Sequence, residues 1–592
     1  MVSPRHFSSH RGFLGTAVAV TAACCAALTL QAPAAVADEG SGPPTVSADD
    51  LVFSTPTTTL QPGSAAQAGL KPGPIAQMVP DVAQYLQPSP TRPEYAGASV
   101  LAAHDGVVVQ DAAVGYARRY ADSTPTDLPK DQWIPATTST IWDMASMTKL
   151  FTSVAAVQLI QQGRLGLDTP VAAYIPQFAQ HGKGDITIRN LLTHTSGLKP
   201  DPVPSLCTYD THAEQWDAVY ATVPDAPPGT EYVYSDINLM MLGKVIETVT
   251  GQPLDQVVAQ HITGPLGMDD TMFNPPASLR PRIAAEEDQP WTDRGIVWGT
   301  VHDENAYCLG GVSGHAGIFS TTHDIAILAQ TLLNGGQYGH TRILSADSVR
   351  SLFRNVNQAF PGNEHGLGFE LDQRWYMDAL SSPVTAGHTG YTGTSLVIDP
   401  LSKSFVILLT NRVHPSRYWG SNNPSRRAVA RDLALALPVQ PAEGRTAWFS
   451  GAQDRTTSTL AIPLPRHDGA AQLDFDLWYD TESTDIGRVE ASTDHGTTWQ
   501  QVPISLHANA FRWSTDGAFS GFEGRQWIQA AAELPDGTTN VRWRYTTDPL
   551  YEGRGVFVDG VRVHDADGVL FNGSRPQDAS RFAASGWSDV TG

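Results

Sequence analysis

Positive charge is scarce in this sequence. Its 592 residues include 38 Lys and Arg against 60 Asp and Glu, which gives a formal net charge of −22. Nucleic-acid binding requires a basic face that neutralises phosphates, so this balance argues against a nucleic-acid partner. It says little about the substrate of an enzyme, because net charge mainly governs solubility.

Several well-known catalytic and binding motifs are missing. There is no Gly-x-Ser-x-Gly elbow, which removes the ordinary α/β-hydrolase interpretation, and there is no P-loop and no His-Glu-x-x-His. The adjacent residues His302, Asp303 and Glu304 make a poor metal-binding pattern. We expect them to shape a loop, with a wall of the active site as their functional alternative. Neither a metal nor a cofactor is predicted.

The start of the chain has the pattern of a secretory signal peptide. Arg5 and Arg11 precede the apolar stretch "GFLGTAVAVTAACCAALTL", which ends in the small residues "APAAVA". We therefore predict a signal peptide over residues 1–37 and a secreted, extracellular protein, with association to the cell wall as a variant. A membrane anchor is the less favoured alternative, so no membrane contact is expected after cleavage.

Cysteine is rare, with four residues in the chain. Cys24 and Cys25 lie inside the apolar stretch rather than at its end, so we predict no lipid anchor. Cys207 and Cys308 would remain after cleavage. In an oxidising compartment they permit one disulfide, although the sequence does not show whether they approach each other.

Composition divides the rest of the chain. Residues 38–60 are rich in Pro, Ser and Thr and are predicted to be a flexible lead. Residues 61–438 carry strand-like stretches near both ends, at 97–117 and 387–412, with helical patterns between them. We predict an α/β domain of the α+β type, with one antiparallel sheet assembled from both ends of the domain and flanked by helices.

Residues 441–592 consist of short alternating segments separated by turn residues, without a long helical pattern. This texture predicts a separate all-β sandwich domain. Sugars could stack on Trp478, Trp499 and Trp527, and calcium could bind Asp485, Asp494 and Asp559. We favour a core role for the tryptophans, because alternating aromatics in a sandwich usually face the core, and loop aspartates are commonplace.

Ser-x-x-Lys occurs twice, at Ser146–Lys149 and at Ser196–Lys199. Ser146 stands where an apolar helix should begin, so its side chain and that of Lys149 would share a face and meet. By itself, this first pair is more simply explained as a helix cap and a solvated lysine. The second copy is followed by residues that forbid a helix, "KPDPVP", so we predict no catalytic role for it.

Two further segments favour catalysis at Ser146. A Tyr-Ser-Asp triplet at 234–236 precedes another helix, and a His-Thr-Gly triplet at 388–390 begins a strand. In this order the three elements resemble the catalytic motifs of the serine β-lactamase and DD-peptidase superfamily. Their form resembles class C β-lactamases and the penicillin-binding-protein-4B-like branch, over about residues 60–437. The resemblance implies the β-lactamase/DD-peptidase fold.

The resemblance also implies an acyl-enzyme mechanism. Ser146 would attack a carbonyl, and Lys149 and Tyr234 would jointly supply the base that its hydroxyl needs. We expect the neighbouring ammonium to lower the pKa of the tyrosine. Tyr234 would also protonate the leaving group and activate water for deacylation. The backbone N–H groups of Ser146 and Tyr391 are implied as the oxyanion hole.

The third motif departs from the usual pattern of the superfamily. His388 stands where most β-lactamases have lysine, which shifts the resemblance toward DD-peptidases and esterases. With Thr389, Gly390 and Tyr391 it is predicted to bind substrate. We expect His388 to hold a substrate carboxylate or to order the lysine–tyrosine network; the alternative is a strand-end histidine with a backbone partner.

Asp236 is the second departure, because the superfamily usually has asparagine there. An amide side chain donates a hydrogen bond to a substrate carbonyl, whereas an ionised carboxylate only accepts. Asp236 could pair with Lys149, favour a substrate N–H or amine, or keep a structural hydrogen bond. Its presence weakens the expectation of efficient β-lactam hydrolysis.

The predicted function is a secreted serine hydrolase that acts through acyl-Ser146 on D-alanyl peptides of the cell wall, as D-alanyl-D-alanine carboxypeptidases do. The alternatives within the fold are an esterase, a D-amino-acid amidase and a weak β-lactamase. A non-catalytic penicillin- or wall-binding protein is the alternative from another class. The sandwich resembles the modules appended to immune-inhibitor-A-type peptidases, which implies contact with the wall or with carbohydrate.

Overall fold

The computed structural model describes residues 42–89, 91–124, 126–467 and 469–592. The predicted signal peptide lies outside these residues, and so do its two cysteines. No helix in the described ranges is long and apolar enough to cross a membrane. Residues 42–592 form one compact unit.

One eight-stranded sheet organises the first part of the chain. Seven of its strands are β1 Gln61–Pro62, β2 Gly97–His104, β3 Val107–Arg118, β4 Glu370–Leu371, β5 Ala386–Thr389, β6 Ser395–Asp399 and β7 Ser404–Thr410. Their order is β1-β3-β2-β7-β6-β5-β4, and the eighth strand, Ile134–Pro135, pairs with β3. Strands from both ends of the domain therefore meet at the β2–β7 pair, as predicted. One pair, β1–β3, is parallel.

The turn between β2 and β3 is set by two residues. Asp105 and Gly106 have φ angles of 43° and 86°, the left-handed conformation that a two-residue hairpin turn favours. Asp and Gly adopt this conformation more readily than most residues. The Asp-Gly signal in the sequence is thus confirmed as a hairpin.

The described residues include thirteen α-helices. They are α1 Pro72–Gln84, α2 Thr148–Gln161, α3 Ile188–Leu192, α4 His212–Tyr220, α5 Asp236–Thr250, α6 Leu254–Val258, α7 Gly264–Leu266, α8 Glu304–Cys308, α9 Thr322–Leu333, α10 Ala346–Phe353, α11 Arg374–Met377, α12 Asn423–Ala436 and α13 Pro576–Ala579. The sheet is buried on both faces. Leu101 and Ala103 of β2 join one core with α2, α5 and α9, while Val100 and Ala102 join the other with α1 and α12. This explains the continuous apolar runs of the central strands.

Short strands occur in the loops between these helices. They are Trp142–Asp143, Met272–Phe273, Ala285–Gln289, Gly295–Trp298, Ile318–Ser320, Gln337–Tyr338 and Thr341–Arg342. The first of them pairs with Ile318–Ser320, directly before the segment that carries Ser146. This pairing fixes where that segment enters the domain.

The prediction of a flexible lead over residues 38–60 is wrong for residues 42–60. Ala48 and Leu51 are 2% and 4% exposed and belong to the main core. The amide of Ser54 donates to the carbonyl of Leu333 at 2.9 Å. The few apolar residues among the Pro, Ser and Thr bury enough surface to hold this segment against the domain.

The last part of the chain forms two sheets, as predicted for a sandwich. The strands are β8 Ala447–Phe449, β9 Thr457–Pro463, β10 Ala471–Asp480, β11 Ile486–Ser492, β12 Gln500–Gln501, β13 Ile504–Ala508, β14 Phe511–Thr515, β15 Ala518–Phe519, β16 Ile528–Leu534, β17 Asn540–Thr546, β18 Gly555–His564, β19 Val569–Asn572, β20 Ala583–Ser585 and β21 Ser588–Val590. One sheet has the order β14-β13-β16-β10-β18-β8-β21 and the other β12-β11-β17-β9-β20. The domain boundaries read from the sequence stay a prediction.

The three tryptophans of the sandwich differ in their surroundings. Trp478 is 3% exposed and packs in a core, as we favoured. Trp499 is half-buried under the guanidinium of Arg542, 4.1 Å from its ring centre. Trp527 is also half-buried, and its Nε1–H donates to the carbonyl of Gln440 at 2.8 Å. The core assignment therefore describes Trp478 better than the other two.

Candidate active site

Ser146 lies in a single 3₁₀ turn, Ala145–Met147, that leads directly into α2. The φ of Ala145 is 45°, in the left-handed region that is unfavourable for a residue with a Cβ atom. Its amide donates to Asp143 Oδ1 at 2.8 Å, which helps to hold this conformation. Ser146 is thus held, half-buried, at the N-terminal end of a buried helix.

The ammonium group of Lys149 is surrounded by acceptors. It donates to Ser146 Oγ at 2.8 Å and to the carbonyl of His315 at 3.2 Å. Its third neighbour is Asp236 Oδ1, at 2.7 Å. Two of its three N–H groups therefore have a hydrogen-bond acceptor, and Asp236 is its ionic partner. The structure confirms that Ser146 and Lys149 meet, and it selects the lysine pair among the three alternatives for Asp236.

Each side chain of the second Ser-x-x-Lys has a partner of its own. Ser196 is buried and donates to Asn238 Oδ1 at 2.6 Å. Lys199 is partly exposed and pairs with Asp225 at 2.7 Å. The two side chains therefore have separate structural partners, in agreement with the prediction.

Tyr234 lies just before α5, with its ring beside the lysine. The Lys149 nitrogen is 4.9 Å from the centre of that ring. Burial, followed by the Asp236 carboxylate, raises the pKa of Tyr234 well above its usual value and outweighs the hydrogen bond to Ser146, which lowers it. The expectation of a lowered tyrosine pKa is therefore wrong, because burial and the Asp236 carboxylate both raise it. Tyr234 is a neutral phenol in the free protein.

The motif analysis gave no role to His194, which holds Tyr234 in place. Its ring stacks on that of Tyr234 with centroids 4.6 Å apart. Its Nδ1 accepts the amide of Ser235 at 3.1 Å, and burial lowers its pKa well below the usual value. His194 is therefore a neutral acceptor that positions the start of α5. No spacing rule connects His194 to Tyr234, so the sequence did not show this contact.

The glycine of the His-Thr-Gly triplet allows β5 to approach the serine segment. A Cβ atom on Gly390 would lie 2.5 Å from the carbonyl oxygen of Met144 and 3.3 Å from the Cβ of Ala145. Thr392 Oγ1 also donates to the carbonyl of Asp143 at 2.7 Å. Only glycine permits this contact without a shift of the backbone.

Two arginines that the sequence analysis missed hold the backbone of this turn. Arg412 donates to the carbonyl of Tyr391 at 2.7 and 3.0 Å. Arg426 is buried and donates to the carbonyls of Gly390 and Thr394 at 2.7 and 3.0 Å. They fix the peptide planes around the amide of Tyr391, which is implied as one donor of the oxyanion hole. No local motif marks them, because both come from later elements.

His388 is 1% exposed and lies with its Nδ1 2.7 Å from the carbonyl of Thr389, so Nδ1 carries the proton. Burial, followed by the charge of Lys149, lowers its pKa to about 3. The ring is therefore neutral, and its Nε2 has no hydrogen-bond partner among the described residues. A neutral acceptor does not attract a carboxylate. No hydrogen bond within the described residues joins His388 to Lys149 or Tyr234, so the backbone-partner alternative describes it best.

The 302–304 loop forms one wall of the cleft that contains Ser146, as its functional alternative predicted. His302 lies with Nε2 2.8 Å from Glu287 Oε2. Burial raises the pKa of Glu287, but hydrogen bonds from His302 and Arg417 outweigh it and bring the pKa to about 2. The wall thus rests on a buried, ionised carboxylate.

Cys207 and Cys308 form a disulfide, which the sequence permitted without deciding. Cys308 ends α8, and Cys207 lies in the loop before α4. Asn305 Oδ1 adds a second link by accepting the amide of Leu206 at 2.9 Å. The two segments on this side of the cleft are therefore tied together.

The cleft has two lobes that share Ser146, Tyr234 and Tyr391. The larger lobe, about 750 Å³, has an acidic lining that includes Asp201, Asp236, Asp303 and Glu304. The smaller lobe, about 400 Å³, is lined by His388, Thr389 and Gly390 together with Arg412 and Arg426. All the predicted site residues except Lys149, which is buried behind Ser146, therefore line one continuous cleft.

The aspartates considered for calcium do not lie together. Asp485 lies near Glu482 and Asp548, with one oxygen of each within 4.8 Å of the others. Asp494 accepts hydrogen bonds from Thr498, and Asp559 accepts the amide of Glu443. Local hydrogen bonds thus account for the last two aspartates.

Comparison with known proteins gives a consistent result for the first part of the chain. The Beta-lactamase family profile matches residues 82–431. A protein of Escherichia coli (strain K12) named "Putative D-alanyl-D-alanine carboxypeptidase" is 36% identical over 361 residues, which are 56% of this chain and 82% of the relative. A protein of the same name from Salmonella agona (strain SL483) is 36% identical over 350 residues, 54% of this chain and 79% of the relative.

Among solved structures, the chain is similar to a "Beta-Lactamase/D-Alanine Carboxypeptidase from Pseudomonas syringae". The sequence identity is 19% and the TM-score is 0.49, over 62% of this chain and 99% of that protein. "A family VIII carboxylesterase" gives 22% identity and a TM-score of 0.47, over 62% and 98%.

Proposed function

The chain belongs to the beta-lactamase family and is a serine hydrolase, and from that premise we propose that it is a D-alanyl-D-alanine carboxypeptidase acting through acyl-Ser146. The observation that carries the proposal is the 2.8 Å contact between Lys149 Nζ and Ser146 Oγ. The substrate class rests on relatives of that name at 36% identity. The proposed substrates are D-alanyl peptides of the cell wall.

The geometry favours Lys149 as the proton acceptor during acylation. A serine hydroxyl needs a base within hydrogen-bond distance, and Lys149 is that neighbour. As the base, Lys149 would take the hydroxyl proton of Ser146 while Ser146 Oγ bonds to the carbonyl carbon of the substrate. Asp236, at 2.7 Å, is the carboxylate adjacent to the lysine nitrogen.

Tyr234 is suited to the opposite role. Its pKa is raised by burial and by Asp236, so the phenol keeps its proton at neutral pH. We infer that it protonates the leaving group when the acyl-enzyme forms. The sequence analysis assigned the base jointly to Lys149 and Tyr234. Here Lys149 is the base and Tyr234 is the acid.

Ester hydrolysis is the second candidate, and the surroundings of Ser146 favour it. His388 is neutral and Asp236 accepts hydrogen bonds only, so neither supplies a cation for a free substrate carboxylate. An ester or amide without that carboxylate loses nothing at these two positions. The arginines of the smaller lobe, Arg412 and Arg426, favour the carboxypeptidase, because a terminal carboxylate would find positive charge there.

The decisive experiment compares the unmodified protein with Ser146→Ala. Each is incubated with a D-alanyl-D-alanine peptide, a p-nitrophenyl ester and a fluorescent penicillin, while D-alanine release, absorbance and intact mass are followed. The proposal expects Ser146-dependent release of D-alanine and a penicillin adduct. Ester turnover alone would favour the esterase, and a complete absence of Ser146-dependent chemistry would favour a non-catalytic binding protein.

We also propose that the protein is secreted and that its sandwich contacts the wall or carbohydrate. The pattern of residues 1–37 supports export, and the acidic balance of the chain suits no nucleic-acid partner. Expression of the full sequence with N-terminal sequencing of the protein in the medium tests the first part. Binding of the purified protein to isolated cell walls tests the second.

A further inference from the structure

We propose that Asp303 and His315 act as a positioning pair for Lys149, holding its ammonium in the geometry that acylation of Ser146 requires. The inference rests on the proposed function, since it concerns the base of that reaction. Neither residue belongs to the three catalytic motifs. Asp303 lines the acidic lobe of the cleft, and the backbone of His315 contacts Lys149.

His315 contacts Lys149 through its backbone. Its carbonyl oxygen accepts one N–H of the ammonium at 3.2 Å. Its side chain is 1% exposed and has a partner on each nitrogen: Nδ1 lies 2.8 Å from Ser313 Oγ, and Nε2 lies 2.9 Å from Asp303 Oδ1. The imidazole therefore cannot turn without losing a buried hydrogen bond, and this fixes the orientation of the carbonyl that Lys149 uses.

The loop that carries His315 is also fixed on its other side. A Cβ atom on Gly314 would lie 2.0 Å from the carbonyl oxygen of Leu239, so the loop lies directly on α5. Thr152 of α2 donates to the carbonyl of Gly314 at 2.8 Å. Because α2 also carries Lys149, this hydrogen bond connects the loop to the helix of the lysine.

Asp303 connects the pair to the counterion of Lys149. Its Oδ1 accepts the amide of Ala306 at 2.7 Å and so caps α8. One oxygen of Asp303, one oxygen of Asp236 and one nitrogen of His315 lie within 4.8 Å of one another. Burial raises the pKa of Asp303, but His315 outweighs it and holds the pKa well below its usual range. Asp303 is therefore an ionised carboxylate beside the Lys149–Asp236 pair.

Two consequences follow for the reaction. The His315 carbonyl and Asp236 hold the ammonium against Ser146 Oγ, so loss of the pair should loosen this geometry and slow acylation. Asp303 holds the imidazole of His315, so loss of its charge should have the same effect to a smaller extent. The other charged or titratable groups that face the pair are Lys149, Asp143, Asp201, Asp236, Arg294 and His302.

The test uses the full chain with His315→Ala, His315→Gln and Asp303→Asn, and p-nitrophenyl ester hydrolysis as the readout. We expect His315→Ala to lower kcat at least about tenfold, with KM changed less than about threefold. Gln keeps an N–H toward Asp303, so His315→Gln should recover part of that loss. Asp303→Asn replaces the ionised partner of His315 by a neutral amide of the same shape and should lower kcat in the same direction, by about threefold.

His104→Gln is the matched control. His104 is a half-buried histidine with one side-chain hydrogen bond, Nδ1 to Ser404 Oγ at 2.9 Å, at the hairpin end of β2 and outside the cleft lining. It should leave kcat unchanged. Melting temperatures of all variants separate a fold defect from a change at the lysine.

The outcomes separate the two proposals. If the unmodified protein hydrolyses the ester through Ser146 while His315→Ala and Asp303→Asn keep its kcat, the positioning role is overturned alone. A loss confined to KM, or one that His104→Gln reproduces, overturns it as well. If the unmodified protein shows no Ser146-dependent hydrolysis, both proposals fall together.

Discussion

At the scale of single residues, the Lys149 ammonium is the centre of the site. It contacts the nucleophile, a carboxylate and a backbone carbonyl, and each contact comes from a different segment of the chain. Burial, followed by the carboxylate of Asp236, raises the pKa of Tyr234. One side chain that differs from the superfamily pattern thus pairs with the lysine and helps to raise the pKa of the tyrosine.

Replacing Asp236 tests this arrangement. In Asp236→Asn the ammonium of Lys149 loses its anionic partner, and the negative charge that raises the pKa of Tyr234 is removed. We expect kcat/KM to fall about tenfold, because the lysine loses one of the groups that hold it against Ser146 Oγ. The measurement is kcat/KM of ester hydrolysis for both proteins. An unchanged value would show that Asp236 does not position Lys149.

Gly390 offers a second test at this scale. A methyl group there would collide with the carbonyl oxygen of Met144 at 2.5 Å and push β5 away from the serine segment. Gly390→Ala should lower kcat at least about a hundredfold, because the turn would move the Tyr391 amide relative to Ser146. Gly184→Ala is the control, since a Cβ atom there meets nothing within 4 Å and, as at Gly390, its φ is not in the left-handed region. Equal losses in both variants would contradict the argument from close approach.

At the scale of elements, two ties connect separate segments: a disulfide and an apolar core shared by two helices. The Cys207–Cys308 disulfide fixes α8, and therefore the 302–304 wall, to the loop before α4. Helices α1 and α12 pack on one face of the sheet and are joined by a shared apolar core. The first tie stabilises the site, and the second stabilises the sheet that carries the His-Thr-Gly turn.

Asp432 on α12 makes the packing of these helices pH-dependent. It is 6% exposed, and burial, followed by Asp81 of α1, raises its pKa to about 7. Between about pH 4 and 7 the unfolded chain loses this proton while the folded protein keeps it, so the free energy of unfolding falls as the pH rises. Asp432→Asn should match the unmodified protein near pH 4 and gain about 2 kcal/mol or more by pH 7.5. Urea unfolding at both pH values measures this, with the exposed Asp347→Asn as the control.

At the scale of the whole molecule, the sandwich is joined to the hydrolase part by buried charges. Arg525 has a side chain 8% exposed and pairs with Asp480 of the sandwich and with Asp399 at the end of β6. Its guanidinium also donates to the carbonyls of Leu380 and Ser381. Because β6 follows the His-Thr-Gly turn, the sandwich supports the sheet that carries the site.

Removing this arginine should destabilise both parts together. Arg525→Gln leaves the carboxylates of Asp399 and Asp480 buried without their cation, and breaking such a pair costs about 3–5 kcal/mol. We expect a lower melting temperature for the whole chain in calorimetry, with the exposed Arg512→Gln unchanged. An unchanged melting temperature in Arg525→Gln would show that this arginine contributes little to the stability of the joint.

The sequence by itself determined the local order of this protein. The Asp-Gly hairpin, the helix that follows Ser146, the strand after His-Thr-Gly and the alternating segments of the sandwich were all predictable, because turn residues and apolar spacing act over a few residues. It also predicted the meeting of Ser146 and Lys149, since three residues make nearly one helical turn. The second Ser-x-x-Lys was rejected by the same local rule, because no helix can follow it.

Only the tertiary structure decided what surrounds those residues. It brought Asp236 to Lys149, His194 to Tyr234 and Arg412 to Tyr391, from segments that no spacing rule connects. Electrostatic effects and burial depend on such distances, which is why the sign of the tyrosine pKa shift was predicted wrongly. Packing also placed residues 42–60 on the core, since burial is a property of the whole fold and composition describes only the segment.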